Sequence, residues 1–429
     1  MVDGFQVVID LEKSRGRRIV DAVTGNSYLD MYSFFASMPI GFNHPYFDGV
    51  SVREDLIAAA TCKVANSDVY SVPYAEFVST LSRVMGLPPL ERYFFIEGGA
   101  AAVENTLKAA MDWKVRKNLA AGKGERGTGI LHFERAFHGR SGYTLGLTNT
   151  DPSKTNYFAK FDWPRVPAPC LDFTLPEGER EDDARDREAA SAERIEEIFR
   201  ERSADIAAII TEPIQAEGGD RHFRREWFWK LRDLCDRYDV LLIFDEVQTG
   251  LGMTGRNWCC EHFDVLPDMI AFGKKAQVCG VMAGPRLDEV EENCFRIGGR
   301  INSTWGGNLV DMVRATHFLR IIERENLVEN AREMGACFLA RLREVQEEEP
   351  LISRARGCGL MLAFDLPTPD LRDAFWKELF ANGLLALCCG ERSIRFRPVL
   401  DIRSEDIDEA IAAIRAQCRR TVRSSGTSR

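Results

Sequence analysis

Two adjacent lysines end a short apolar segment in the stretch Ala271-Phe272-Gly273-Lys274-Lys275. A lysine at the end of a buried strand is partly desolvated, which favours its neutral amine. A neutral amine is what a Schiff base with an aldehyde requires. The alternative is a solvated lysine pair, which is the commoner fate of lysine. Local sequence does not choose between Lys274 and Lys275.

A carboxylate also ends an apolar segment, because Asp245 directly follows residues 241–244, Leu-Leu-Ile-Phe. An ionised carboxylate in such a place is costly unless it has a partner. A protonated pyridine nitrogen would be a suitable partner. The alternative is that Asp245 caps the segment that follows it.

Three small residues, Gly98-Gly99-Ala100, connect a predicted strand to a predicted helix. Such residues let backbone N–H groups and the positive helix end approach a phosphate, although a tight turn alone would also explain them. The G-x-G-x-x-G spacing of dinucleotide-binding folds is absent, which disfavours a nicotinamide-dependent oxidoreductase. An anion cradle, a buried acid and a Schiff-base lysine together match the phosphate, pyridine nitrogen and aldehyde of pyridoxal phosphate.

The segments around these residues alternate between short apolar runs and amphipathic stretches. Alternating strands and helices predict an α/β fold with a mostly parallel sheet, whose site lies at the carboxyl ends of the strands. Residues 164–193 are polar and contain proline, which predicts a surface excursion. The strands are predicted at residues 92–96, 130–133, 206–211, 240–244 and 268–272, and helices at residues 101–119 and 227–238.

Two domains and an N-terminal segment are predicted along the chain. Residues 1–70 are expected to join the small domain and cover the active site, residues 71–310 to form a large cofactor-binding domain, and residues 311–429 a smaller C-terminal α+β domain. The 429 residues have a net charge of −10, which argues against a general nucleic-acid binder. The twelve cysteines show no C-x-x-C pair, so neither a metal site nor a disulfide framework is expected. No signal peptide and no membrane-spanning run is recognised, which favours a cytoplasmic protein.

The order of motifs resembles the class III, or ω-amino-acid, aminotransferases of fold type I. The resemblance covers roughly residues 15–415 and implies pyridoxal 5′-phosphate as cofactor, with a homodimer whose active sites are shared across the interface. The motifs that carry it are Glu97-Gly98-Gly99-Ala100, Ala136-Phe137-His138-Gly139-Arg140, Asp245-Glu246-Val247-Gln248-Thr249-Gly250, Gly273-Lys274 and Asn302-Ser303-Thr304-Trp305-Gly306-Gly307-Asn308.

The resemblance assigns roles around the cofactor ring. Lys274 corresponds to the Schiff-base lysine, with Lys275 as the alternative. Asp245 corresponds to the acid that pairs with the pyridine nitrogen, and Gln248 to the residue near the ring hydroxyl. Phe137 would stack on the ring face, next to His138.

The resemblance also assigns residues to the phosphate. Gly99 and Ala100 would hold it through backbone N–H groups. Thr304 resembles the family threonine that reaches the phosphate from the neighbouring subunit, and Asn302 would act beside it.

Substrate carboxylates require cations. Within the resemblance, Arg140 could bind the α-carboxylate of the amino donor, and Arg395 that of the keto acid, although Arg397 is close enough to be confused with it. Glu217 resembles the glutamate that pairs with this arginine when the donor is bound. Ala216 replaces the glycine that more often precedes the glutamate.

Several stretches further resemble the family members that act on the ε-amino group of L-lysine. This branch implies transfer to 2-oxoglutarate, giving 2-aminoadipate 6-semialdehyde, which cyclises to piperideine carboxylate, and L-glutamate. The alternatives are another ω-aminotransferase, acting on ornithine, 4-aminobutyrate or 2,4-diaminobutyrate, and an inactive cofactor-binding protein. The stretches are residues 32–37, 66–71, 137–148, 214–223 and 272–280.

Overall fold

A computed structural model describes residues 4–426 of the chain. The chain divides into two compact units. One contains the residues up to Ile57, Gly252–Gly255 and those from Ile321 onward, and the other contains Ala58–Leu251 and Arg256–Arg320. Residues 1–3 and 427–429, at the outer ends of the predicted domains, lie outside the described residues.

Fourteen β-strands occur within residues 4–426. In chain order they are β1 (Arg18–Val20), β2 (Ser27–Asp30), β3 (Arg92–Ile96), β4 (Gly129–Phe133), β5 (Arg165–Val166), β6 (Ile206–Thr211), β7 (Leu241–Asp245), β8 (Met269–Phe272), β9 (Cys279–Ala283), β10 (Ser353–Cys358), β11 (Met361–Asp365), β12 (Leu384–Leu385), β13 (Leu387–Cys389) and β14 (Ser393–Phe396).

The same residues form eleven α-helical segments, of which the first is a single turn with positive φ angles. They are α1 (Ser33–Ala36), α2 (Val50–Thr61), α3 (Val72–Met85), α4 (Gly99–Ala120), α5 (Gly142–Leu147), α6 (Glu177–Arg202), α7 (Arg225–Arg237), α8 (Leu309–Arg324), α9 (Leu327–Glu348), α10 (Pro369–Ala381) and α11 (Ser404–Gly426).

The larger unit is built on a seven-stranded sheet with the order β3-β9-β8-β7-β6-β4-β5. Strands β5, β4, β6, β7 and β8 pair in parallel, and β9 pairs antiparallel with both β8 and β3. Every residue of β6, β7 and β8 is buried, as expected for strands covered on both faces. The predicted α/β class with a mostly parallel sheet is confirmed.

Helix α6 corrects the prediction for residues 164–193, because this 26-residue helix begins at Glu177 inside the predicted surface excursion. Ion pairs one turn apart, Arg187–Asp183 at 2.9 Å and Arg200–Glu196 at 2.8 Å, stabilise its exposed face. Because the helix contains so many charged residues, the narrow apolar stripe on its other face is hard to recognise in the sequence. That buried stripe consists of Ala184, Ala192, Ile195, Ile198 and Phe199.

The smaller unit contains two sheets, with the orders β1-β2-β12 and β10-β11-β14-β13. Strand β14 lies between β11 and β13 and pairs antiparallel with both. Arg395 is opposite Ala363 on one side and Leu387 on the other, and only 3% of its surface is exposed. This strand therefore holds Arg395 in a fixed backbone position inside its own unit.

Phe228 on α7 offers a test of the core beside the central sheet. Its ring is fully buried, with centroids 4.2 Å from Phe263, 5.3 Å from Phe244 and 5.8 Å from Phe223. We expect Phe228→Ala to lower the free energy of unfolding by about 3–5 kcal/mol in urea denaturation, since it leaves a cavity. Lys230→Ala, on the exposed face of the same helix, should change it by less than about 0.5 kcal/mol. Equal effects of the two substitutions would contradict this account.

Candidate active site

A cavity of about 260 Å³ opens in the larger unit at the carboxyl ends of β7 and β8. Most of the site residues predicted from the sequence line this cavity, although they are up to 175 positions apart in the chain, from Gly99 to Lys274. The lining consists of Gly99, Ala100, Phe137, His138, Gly139, Glu212, Ile214, Glu217, Asp245, Val247, Gln248, Thr249 and Lys274.

Asp245 is the last residue of β7, and its carboxylate is buried, with 5% of the residue exposed. Its Oδ2 lies 2.7 Å from Nδ1 of His138, and its Oδ1 accepts the backbone N–H of Val247 at 3.1 Å. The other ring nitrogen of His138, Nε2, is buried and has no hydrogen-bond partner among the described residues. The pair places an acid, already oriented by an imidazole, at the cavity wall.

The first turn of α4 forms another wall. The helix begins at Gly99, after Gly98 with φ +94°, and runs for 22 residues. The first N–H groups of a helix lack partners inside it, and their dipoles favour an anion. Gly139 packs against this turn, since a Cβ built on Gly139 would lie 2.6 Å from the Ala100 Cβ.

Lys274 follows β8 after one glycine and lines the cavity. Its φ of +52° is unusual for a residue with a side chain, and such a conformation persists only where the surroundings enforce it. Gly273 leaves room for this turn, because a Cβ there would lie 2.7 Å from Sγ of Cys279. Lys275 is 2% exposed and does not line the cavity.

Phe137 lies among charged groups. The guanidinium carbon of Arg140 and Nζ of Lys154 are each 5.9 Å from the centroid of its ring. Lys154 also forms an ion pair with Oε1 of Glu217, and Oε2 of Glu217 is buried without a hydrogen-bond partner in the described part of the chain. Sequence reasoning missed Lys154, since no motif marks it.

Glu212 is a second buried carboxylate at a strand end, where the sequence predicts the site, although no role was predicted for it. Its Oε1 accepts the backbone N–H of Phe137 at 2.9 Å, and its Oε2 accepts that of Ala216 at 3.3 Å. Burial raises its pKa to about 7, and the charge of Asp245 adds to the increase. It directly follows a buried strand, β6, and that position was the signal available in the sequence.

Four other predicted residues do not line the cavity. Arg140 is exposed, and so are Asn302 and Thr304 in the segment between β9 and α8. Arg395, like Arg397, belongs to the smaller unit.

The parallel sheet, the helix terminus, the buried acid and the lysine together suit an anionic cofactor that carries an aldehyde. A family model described as "Aminotransferase class-III" matches residues 2–417. The chain belongs to the class III aminotransferases, and its fold is that of the fold type I enzymes.

Full-length relatives are similar to the chain throughout. The L-lysine-epsilon aminotransferase of Mycobacterium tuberculosis is 51% identical over 97% of this chain and 92% of its own length. The enzyme of that name from Amycolatopsis lactamdurans is 49% identical over 97% of this chain and 93% of its own. The solved structure of lysine aminotransferase from M. tuberculosis in the internal aldimine form has a TM-score of 0.95 and 51% identity, covering 97% and 96% of the two chains.

Pyridoxal phosphate is the cofactor of this family, and the groups of the cavity fit it. The N-terminus of α4 offers backbone donors for a phosphate, and Asp245 offers a buried carboxylate for a protonated ring nitrogen. Phe137 supplies a flat apolar surface, and Lys274 supplies an amine. Each polar group of the cofactor therefore has a partner of complementary charge or dipole in the cavity.

Gly139 provides a test of this cradle. We expect Gly139→Ala to weaken cofactor binding about tenfold in titrations of the apoprotein, since the φ of +122° disfavours alanine and the new Cβ would collide with Ala100. Gly142→Ala is the matched control, because its Cβ would meet only the end of the Glu104 side chain, at 3.0 Å. An unchanged dissociation constant in Gly139→Ala would refute the close packing of this segment on α4.

Proposed function

We propose that the chain is an L-lysine 6-aminotransferase. It transfers the ε-amino group of L-lysine to 2-oxoglutarate and yields L-glutamate and 2-aminoadipate 6-semialdehyde, which cyclises to piperideine carboxylate. The observation that carries the proposal is the similarity, over nearly the whole chain, to enzymes of this activity. The cavity with Lys274 and Asp245 supports it, because that pair supplies the chemistry of amino transfer.

The proposed roles at the reacting centre follow from the cavity. Bound pyridoxal phosphate supplies an aldehyde that accepts the amino group and a ring that delocalises negative charge. Lys274 holds the cofactor through Nζ and then takes a proton from Cε of L-lysine. Asp245, oriented by His138, keeps the ring nitrogen protonated. Phe137 covers one face of the ring and excludes water.

The remaining cofactor contacts are proposed at the two ends of the ring. Gly99 and Ala100 donate backbone N–H groups to the phosphate, as the start of α4 allows. Gln248 approaches the ring hydroxyl from the loop after β7. Asn302 and Thr304 reach the phosphate of the partner subunit in a homodimer. Their exposure on the single chain is consistent with such a role.

Recognition of the two substrates is proposed to depend on two arginines and one glutamate. Arg140 binds the α-carboxylate of L-lysine as a planar fork. Arg395 binds the α-carboxylate of 2-oxoglutarate. Glu217 neutralises Arg395 when the donor is bound and releases it for the acceptor.

We place the enzyme in the cytoplasm. No disulfide joins the twelve cysteines, all of which lie among the described residues, as is usual where thiols stay reduced. None of the helices described in residues 4–426 is long and apolar enough to cross a membrane.

The attachment lysine can be identified chemically. Borohydride reduction should fix the cofactor to the peptide containing Lys274 in the wild type and in Lys275→Ala, but not in Lys274→Ala. Turnover of Lys274→Ala should fall roughly 10²–10⁴-fold, the range that a positioned acid–base group contributes. Peptide mass spectrometry and cofactor absorbance provide the measurements. Attachment that survives in Lys274→Ala and is lost in Lys275→Ala would transfer the role to Lys275.

The reaction itself is tested with L-lysine carrying nitrogen-15 at the ε-position. Incubation with 2-oxoglutarate should give labelled glutamate and a six-membered cyclic imine, which 2-aminobenzaldehyde traps and mass spectrometry identifies. Unlabelled glutamate would mean α-transfer. Faster turnover of L-ornithine, 4-aminobutyrate or 2,4-diaminobutyrate would replace the proposed donor. Bound cofactor that no donor bleaches would favour an inactive cofactor-binding protein.

A further inference from the structure

Lys154 is fixed beside the cavity by a short turn and an ion pair. It ends a 3₁₀ turn, Pro152–Lys154, which Asp151 caps by accepting the backbone N–H of Ser153 at 2.9 Å. Its ammonium pairs with Oε1 of Glu217 and lies 5.9 Å from the ring of Phe137. Because both of these residues line the cavity, the cation acts on whatever binds there.

The Glu217 carboxylate needs a cationic partner when it does not pair with Arg395, and Lys154 is in contact with it. The Glu217 and Lys154 side chains are each 21% exposed, so most of the water around both charges has been displaced. Oε2 of Glu217 is buried and accepts no hydrogen bond among the described residues. A carboxylate so placed without a cation would project an uncompensated negative charge into the cavity.

The two substrates respond to this charge in opposite ways. L-Lysine carries two ammonium groups and one carboxylate, whereas 2-oxoglutarate carries two carboxylates. An uncompensated carboxylate therefore repels the acceptor and does not repel the donor. Neutralising Glu217 matters for one half of the reaction only.

We infer that Lys154 determines acceptor specificity by neutralising Glu217, so that the dicarboxylate can enter the cavity. Lys154 is a positioning residue, since it acts through Glu217 rather than on the reacting atoms. The inference rests on the proposed function, which supplies the identities of the two substrates. The amino-transfer steps themselves do not use the ion pair between Lys154 and Glu217, and this inference gives that pair a function.

The test is a Lys154→Met holoenzyme, which loses the charge and keeps the length of the side chain. The KM for 2-oxoglutarate and the dissociation constant of glutarate, an unreactive dicarboxylate, should each rise about tenfold. The KM for L-lysine and the rate of cofactor bleaching by L-lysine should stay within about twofold. Lys154→Arg should restore acceptor binding, because it restores the positive charge.

Three further variants separate an effect of charge from an effect on folding. Lys160→Met removes a lysine from the same segment that bonds the carbonyl of Thr155 at 2.5 Å, and it should leave both substrates unaffected. Adding Glu217→Gln to Lys154→Met should remove most of the penalty on glutarate, since no unpaired charge then remains. Lys154→Gln repeats the measurement with a polar side chain, so that misfolding of one variant does not decide the result.

Three results would overturn the inference: equal increases in KM for both substrates, no change in either, or the same acceptor defect in Lys160→Met. They are distinguishable from failure of the proposed function. In that case the wild type itself would not transfer nitrogen from L-lysine to 2-oxoglutarate, whereas the glutarate titration would still report on Lys154.

Discussion

The site depends on the burial of Asp245 at the end of β7, because a carboxylate in that position needs hydrogen-bonding or ionic partners. His138 compensates one oxygen at 2.7 Å, and the backbone of Val247 the other at 3.1 Å. Through these contacts, the Asp245 carboxylate connects the loop after β4 with the loop after β7. In the proposed function a cationic ring nitrogen would be a further partner of this acid, which already connects two loops of the protein.

The sheet order makes this arrangement possible. β6, β7 and β8 are parallel neighbours, and their carboxyl ends bring Glu212, Asp245 and Lys274 to one edge. Glu212 extends the network, since it accepts N–H groups from Phe137 and from the loop that carries Glu217. The buried carboxylates at the strand ends are therefore hydrogen-bonded to the loops that follow the strands.

The residues at these strand ends could be predicted from the sequence. Asp245, Lys274 and Gly99 each stand where a strand ends or a helix begins, so a local pattern locates them. Lys154 has no comparable pattern, because its partner Glu217 is 63 residues away and no motif surrounds Lys154 itself. Local sequence also left Lys274 and Lys275 open, whereas in the fold Lys274, whose φ is +52°, lines the cavity and Lys275 does not. Helix α6 was not predicted because its sequence contains many more charged residues than apolar ones.

The residues buried at the strand ends and the ion pair proposed to select substrates differ in physical character. Asp245, His138 and Glu212 are nearly inaccessible to water, and moving any of them would leave a buried charge or donor unpaired. Lys154 and Glu217 keep a fifth of their surface exposed, so their pairing can open at a much smaller cost in free energy. A ping-pong enzyme has to accept two differently charged substrates in one cavity without disturbing its chemistry. Placing the proposed adjustable charges in partly exposed loops, and the fixed ones at buried strand ends, would meet both requirements.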